Sequence, residues 1–352
     1  MTIKLSGFRS SASLRKLTAA LIVGAVLASP QAQASIEQQR QLFHDASAAL
    51  ERNQMSKFNR LLKQLDDYPA KPYLEYDAFR RRANQLKPQQ AELFFRRFAD
   101  YPFVYHARGK WLSVLARRGD WENYLNFFDG RENTRLKCIA FRARLKLDRL
   151  ENINAEIAKV WLRGYSQPSE CDPAFEHYLA SHEQAEQAIW LRIEKAFKAR
   201  RPNLARYLGK KLDRQSRATV ETWYQAHIRP ERSLRKLADK ADSEHTRAII
   251  VHAIDRLARK DSLEALEYWN LIRDHFEFTQ AQIDQSQLRI ALSAALQHEP
   301  EARALLASLE PSVMNDQAYL WLARIQLRGR DWSGLKETIN RMPSHLQQEN
   351  EW

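Results

Sequence analysis

The stretch W-L-S-V-L-A-R-R-G-D-W, residues 111–121, indicates the architecture of this 352-residue sequence, because a close variant of it returns near the end of the chain. Residues 321–332 read W-L-A-R-I-Q-L-R-G-R-D-W, with one more residue between the two tryptophans. In both stretches, apolar residues at helical spacing lead to basic residues and a glycine, and an aspartate follows where it can cap the next helix. We interpret the pattern as a helix-turn-helix unit of a repeat array.

Helical spacing of apolar residues continues through the rest of the chain from Ile36 onward, as in Leu42, Ala46 and Ala49. Sustained alternation of apolar and polar residues is missing, as are the glycine-containing turns of β-hairpins, so the sequence predicts an all-α fold. A single helix pair cannot bury its own apolar face, and neighbouring pairs must therefore stack. We expect an α-solenoid, a right-handed superhelix of short helix-turn-helix units.

The first 34 residues predict a secretory signal peptide. Four basic residues and no acidic one precede an apolar run at residues 17–28, and Ala32-Gln33-Ala34 matches a cleavage site. The run is shorter than the roughly 20 residues needed to cross a bilayer, so a membrane anchor is the less favoured interpretation. No later run is apolar enough to span a membrane. We expect a periplasmic protein, cleaved after Ala34, whose body is one superhelical domain at residues 35–352.

The chain is basic, with 56 Lys and Arg residues against 43 Asp and Glu residues and a formal net charge of +13. Such a surface favours an acidic partner: nucleic acid, an anionic membrane, or the carboxylate-bearing peptides of the cell wall. Export makes nucleic acid the weakest of the three, and we predict no nucleic-acid partner. The alternative is that the arginine-rich helix faces are simply solvated.

Cys138 and Cys171 are the only two cysteines of the chain. Because export would place both in an oxidising compartment, the sequence predicts a disulfide between them. The alternative is a pair of buried free thiols. Two cysteines without a third or fourth ligand nearby do not suit zinc, and no metal site is predicted.

Two segments carry a family resemblance. Residues 67–76 read D-Y-P-A-K-P-Y-L-E-Y, and residues 161–172 read W-L-R-G-Y-S-Q-P-S-E-C-D. Both are similar to the amino-terminal region of the soluble lytic murein transglycosylases, whose patterns there are D-Y-P-x-x-P-Y-L-E-Y and W-L-x-G-x-S-Q-P-x-x-C-D. The resemblance implies a superhelix of short helices in a U shape, and it implies peptidoglycan as the partner.

The same resemblance bears on activity. Enzymes of this family cleave between N-acetylmuramic acid and N-acetylglucosamine without water, leaving a 1,6-anhydro product, and their catalytic Glu lies in an E-S-x-W motif followed by G-L-M-Q and A-Y-N-A-G. None of the three motifs occurs in this sequence. No catalytic residue can be carried over, and we expect the chain to be inactive alone. It ends at Trp352, where the family continues, so the resemblance implies truncation.

Two functions remain open at this point. The first is a non-catalytic, peptidoglycan-positioning scaffold of a lytic transglycosylase. The second is a repeat-type periplasmic interaction scaffold that has no enzymatic half. A possible glycan-contact patch consists of Tyr73, Glu75, Tyr76, Arg80 and Arg81.

Glu75 is the best candidate in the sequence for a protected catalytic acid, although a structural role as an acceptor for backbone or arginine groups is favoured. The tryptophans could stack on sugar rings, although a role in the core between helices is favoured. His177 and His182, like His245 and His252, lack the four-residue spacing of a helical zinc pair. No glycine-rich phosphate loop occurs in the sequence, so no cofactor is predicted.

Overall fold

The computed structural model of the chain describes residues 30–65 and 67–348. Within these ranges every regular element is a helix and no residue forms a strand, which confirms the all-α prediction. The chain divides into a first unit that ends at Trp111 and a second unit that begins at Leu112. The predicted leader lies outside the described residues, except that the backbone of residues 30–34 belongs to the first helix.

The first unit contains four α-helices and the beginning of a fifth that crosses its boundary: α1 Pro30–Glu51, α2 Met55–Lys63, α3 Lys71–Arg82, α4 Pro88–Arg97 and α5 Val104–Arg118. A short 3₁₀ helix, Ala83–Gln85, follows α3. Proline occupies one of the first two positions of α3 and α4, where its missing N–H breaks no helical hydrogen bond. The apolar faces of α1, α2 and α3 meet around Phe58 and Leu65, both fully buried.

The second unit continues with α6 Trp121–Phe127, α7 Thr134–Lys146, α8 Ile153–Trp161, α9 Asp172–Ser181, α10 Ala185–Lys198, α11 Pro202–Gly209, α12 Arg214–Ile228, α13 Pro230–Leu237, α14 Glu244–Ala258, α15 Ser262–Ile272, α16 Gln280–Gln297, α17 Ala302–Ala307, α18 Asp316–Arg328, α19 Trp332–Arg341 and α20 Ser344–Gln347. Two 3₁₀ helices, Ser169–Cys171 and Arg273–His275, precede α9 and follow α15.

Stacked helix pairs build the second unit. The longer helices α12, α14, α16 and α18 pack successively against one another, and each is joined to a shorter partner from α13, α15, α17 and α19. A continuous buried core follows this stack from Cys138 to Ile290. The arrangement lets each pair cover the apolar face of the previous one, as a solenoid requires, and it confirms the predicted stacking of helix-turn-helix units.

The two similar turns behave as the sequence predicts, with one difference. Asp120 accepts a hydrogen bond from the backbone N–H of Asn123, and Asp331 accepts one from that of Gly334, so each aspartate caps the following helix. In the first turn Gly119 adopts the left-handed conformation, with φ of 69°. In the second turn the additional residue, Arg330, has φ of 57° instead. The longer spacing therefore moves the left-handed position from the glycine to the arginine.

Most of the tryptophans serve the core. Trp111, Trp161 and Trp269 are each 1% exposed or less, whereas Trp332 is 62% exposed. Such burial matches the favoured interpretation of tryptophan as packing material between helices.

Candidate functional site

The predicted glycan-contact patch lies on α3 of the first unit. Tyr73 is 48% exposed, and its ring meets that of Phe103 edge to face at 5.4 Å. Tyr76 stacks on the same Phe103 at 4.9 Å. Arg80 is exposed and lies 5.8 Å from the centre of the Tyr76 ring, and Arg81 is exposed beside it. The fold thus gathers two tyrosines and two arginines of the patch on one helix.

Glu75 has an arginine partner. Its Oε1 accepts a hydrogen bond of 2.9 Å from Nη1 of Arg97 on α4. Its Oε2 is buried and receives no hydrogen bond from the residues that the structure describes. This ion pair matches the alternative that the sequence left open, a carboxylate that accepts from an arginine.

The second similar segment, residues 161–172, forms the end of α8, an irregular loop and the 3₁₀ helix before α9. Trp161 is buried, and its ring N–H donates to the backbone oxygen of Ala188 on α10 at 3.0 Å. A Cβ on Gly164 would lie 2.3 Å from the backbone oxygen of Lys195, so only glycine fits this close approach to α10. At the far end Cys171 forms a disulfide with Cys138 of α7. The segment is thereby held against two helices, α7 and α10.

An arginine of α10 is buried behind this loop. Arg192 is only 4% exposed, and its guanidinium carbon lies 4.3 Å from the ring centre of Trp161 and 5.0 Å from that of Phe175. Among the described residues it makes no hydrogen bond and no ion pair, and its Nε is buried without an acceptor. Burial lowers the pKa of Arg192 to about 10, so the side chain stays charged at neutral pH.

A cavity of about 430 Å³ opens onto this arginine. Residues of the loop form one wall, α9 forms another, and α10 and α11 complete it. The lining side chains include one further cation, two carboxylates and two carboxamides: Lys211, Asp172, Glu176, Gln167 and Asn203. Polar groups around an apolar floor are the usual composition of a ligand site.

Arg192 was not among the predicted site residues, although the sequence carries a signal for it. Ala188, Ile189, Arg192, Ile193 and Ala196 share the buried face of α10. Ala188 and Ala196 lie four residues before and after Arg192, so the arginine belongs to the apolar stripe of the helix. A charged residue at such a core position needs a partner or a function.

Comparison with known proteins gives the chain its relatives. No family model matches the sequence. The soluble lytic murein transglycosylase of Escherichia coli strain K12 is 24% identical over 325 residues, which cover 90% of this chain and 50% of that protein. The protein of the same name from Salmonella typhimurium is 26% identical over 328 residues, with the same two shares. Over most of its length the chain is similar to soluble lytic murein transglycosylases.

Solved structures of these transglycosylases share the fold. The lytic transglycosylase Slt from Pseudomonas aeruginosa is 25% identical, with a TM-score of 0.78 over 88% of this chain and 51% of that one. The 70-kDa soluble lytic transglycosylase from Escherichia coli is 23% identical, with a TM-score of 0.75 over 90% of this chain and 52% of the other. The chain spans about half the length of the transglycosylases it matches, and the homology is consistent with their amino-terminal domain.

The second unit has another cavity, of about 280 Å³, beside a pair of histidines. Nδ1 of His227 and Nε2 of His252 are 3.0 Å apart, and the two rings stack. Asp255 also lines the cavity and pairs with Arg259 at 3.0 Å and with Arg289 at 2.7 Å. Within the described ranges, no group of three or more His, Cys, Asp or Glu side chains could hold a metal ion.

Both histidines are held neutral. Burial lowers the pKa of His252 to about 3, and the nearby charges of His227 and Arg256 act in the same direction against an opposing effect of Asp255. Burial also lowers the pKa of His227, with Arg256 and Arg200 contributing. Since one ring must accept the hydrogen bond that the other donates, at least one imidazole has to be unprotonated.

We therefore expect the protein to lose stability as the pH falls below the ordinary histidine pKa of about 6.5. The unfolded chain binds protons there that the folded chain cannot bind, so the stability present at neutral pH declines towards pH 3. Between pH 7 and pH 5, before most carboxylates titrate, one such histidine costs about 2 kcal/mol. Urea unfolding at these two pH values measures the loss.

The matched variants for this prediction are His252→Gln, which keeps a hydrogen-bonding side chain without a titrating proton, and His106→Gln at an exposed position. The His252 variant should show a flatter acid response, whereas the His106 variant should behave as the wild type. An unchanged pH response of the His252 variant would show that another group controls acid stability.

No helix within the described ranges is long and apolar enough to cross a membrane.

Proposed function

We propose that this chain is the peptidoglycan-positioning, non-catalytic part of a periplasmic lytic murein transglycosylase. The observation that carries the proposal is its homology to soluble lytic murein transglycosylases over 90% of its length. Because the three catalytic motifs are missing from the sequence, we assign it the holding of glycan strands and not their cleavage. The homology does not favour the alternative of a repeat-type interaction scaffold without an enzymatic half.

Export and charge support this assignment. The signal peptide predicted at residues 1–34 would direct the chain to the periplasm, where peptidoglycan lies. Its removal would take four positive charges from the formal net charge of +13 and leave the body basic. Basic proteins are drawn to polymers that carry carboxylates, as peptidoglycan does.

We assign the patch on α3 as the surface that meets the glycan. Tyr73 presents an exposed ring backed by Phe103, so its position is set by packing before any ligand arrives. A preorganised aromatic ring loses little conformational entropy on binding. Arg81 adds an exposed positive charge to the same helix, and the exposed Arg80 pairs with Asp77 at 3.2 Å.

The experiment that tests the proposal sediments intact, purified sacculi with the mature chain and assays the supernatant for 1,6-anhydro products. We expect the chain to pellet with the sacculi and to release no such product. Failure to pellet would contradict the proposal, and 1,6-anhydro product from a preparation free of other hydrolases would contradict the absence of catalysis.

The patch is tested by Tyr73→Ala, with Tyr105→Ala as the control because it removes an equally exposed tyrosine from α5. We expect the Tyr73 variant to need about fivefold more sacculi for half-maximal pelleting, since truncating an aromatic anchor typically costs about 1 kcal/mol or more. Equal pelleting of the two variants would show that the patch on α3 is not the contact surface. Pelleting of the wild-type chain would still test whether the chain binds peptidoglycan.

A further inference from the structure

Within the described part of the chain, the buried Arg192 has no hydrogen-bond or ion-pair partner, although the charge of Asp172 acts on it from a distance and favours the charged guanidinium. Its guanidinium has aromatic rings on two sides and no hydrogen-bond acceptor or ion-pair partner among the described residues. Nε is the guanidinium nitrogen that is buried without an acceptor, and a buried N–H donor without an acceptor is costly. The side chain lines the 430 Å³ cavity. A ligand or solvent in that cavity can therefore supply the acceptor.

The charges around the cavity restrict the missing acceptor. Arg192 and Lys211 supply two positive charges, and Asp172 and Glu176 supply two negative ones. A dianionic phosphate would be opposed by both carboxylates, and the hydroxyls of a neutral sugar would not compensate the buried guanidinium. A single carboxylate fits best, because the planar guanidinium donates to it through two parallel hydrogen bonds.

The other walls of the cavity suit a peptide that carries such a carboxylate. Leu204 and Leu208 offer apolar contacts, while Gln167 and Asn203 carry amide groups that can pair with peptide N–H and C=O groups. Asp172 and Glu176 can accept hydrogen bonds from an ammonium or from peptide N–H groups. Together these side chains offer a short peptide both apolar and amide contacts.

We propose that this cavity binds the free carboxylate of a short peptide, with Arg192 as the binding residue. The inference rests on the proposed function for the source of the peptide, which is then the peptide part of murein. Tyr207, 56% exposed at the cavity, becomes a neighbour of the bound peptide. The chain would thus hold murein at two places, by its glycan on α3 and by its peptide here.

The test is calorimetric titration of the full chain with the free murein tetrapeptide L-Ala-γ-D-Glu-diaminopimelate-D-Ala and with the same peptide bearing amidated carboxyl groups. We expect the acid form to bind and the amide form to bind markedly less. In Arg192→Met the affinity for the acid form should fall about thirtyfold or more, the usual cost of removing one member of a buried charge pair. Arg214→Met removes an exposed arginine at the start of α12 and should change nothing.

Thermal unfolding separates lost binding from lost fold: Arg192→Met removes a buried charge that has no ion-pair partner among the described residues, so its melting temperature should stay near that of the wild type. Equal binding of the acid and amide forms, or full binding by the Arg192 variant, would overturn the inference. Sacculus pelleting reports separately on the proposed function. Pelleting without peptide binding overturns the cavity assignment alone, whereas peptide binding without pelleting supports the cavity and contradicts the proposed function.

Discussion

Reduction of the Cys138–Cys171 disulfide is expected to lower the free energy of unfolding by about 3–4 kcal/mol. The two cysteines are 33 positions apart, and the bond restricts the unfolded chain over that loop. For a chain of this size the change corresponds to a fall of roughly 4–6 °C in melting temperature. The measurement is thermal unfolding with and without reductant, with free thiols counted to establish complete reduction.

The control for this prediction is the double variant Cys138→Ala, Cys171→Ala. It should melt near the temperature of the reduced wild type and should not respond to reductant. A fully reduced wild type that melts at the temperature of the oxidised protein would contradict the prediction, because the cross-link would then contribute nothing to stability.

The second large effect is expected from Gly164→Ala, which should destabilise the protein by about 2–3 kcal/mol. The new Cβ would lie 2.3 Å from the backbone oxygen of Lys195 and 2.9 Å from the Cβ of Ala199. Neither neighbour can rotate away, since one is backbone and the other is the first atom of its side chain. The loop must therefore move away from α10, which a urea unfolding curve would register as a lower midpoint.

Gly329→Ala is the matched control. Gly329 has no neighbour closer than 3.4 Å to an added Cβ, and its φ of −78° suits any residue. This variant should stay within about 0.5 kcal/mol of the wild type, as do most surface substitutions. If both variants unfolded at the same urea concentration, the close approach of the loop to α10 would not be a determinant of stability.

Both large effects act on the loop at residues 162–168. The disulfide anchors the segment just after it to α7, and Gly164 lets the loop itself approach α10. The loop is also a wall of the cavity at Arg192. A displaced loop should therefore weaken peptide binding as well as stability, and Gly164→Ala in the calorimetric titration would show the connection between the two.

The all-α class, the helix-turn-helix pairs and the aspartate caps could be predicted because each depends on residues close together in sequence. Helical periodicity is visible within three or four residues, and an aspartate caps a helix through the N–H of the third residue after it. The left-handed residue of the second turn was harder to predict from the sequence. A single added residue moved that conformation from glycine to Arg330, which local propensity does not predict.

The candidate site divides in the same way. The motif at residues 161–172 could be recognised from the sequence, but the residues that it contacts could not. Ala188 and Lys195 approach it only because α10 packs against α8 and the loop. His227 and His252 are 25 residues apart and meet through the stacking of α12 on α14. Arg192 stood out only as a charge on an apolar face. Its lack of a partner is a tertiary fact, because hydrogen-bond acceptors and burial come from helices distant in sequence, and local sequence specifies helices but not which faces meet.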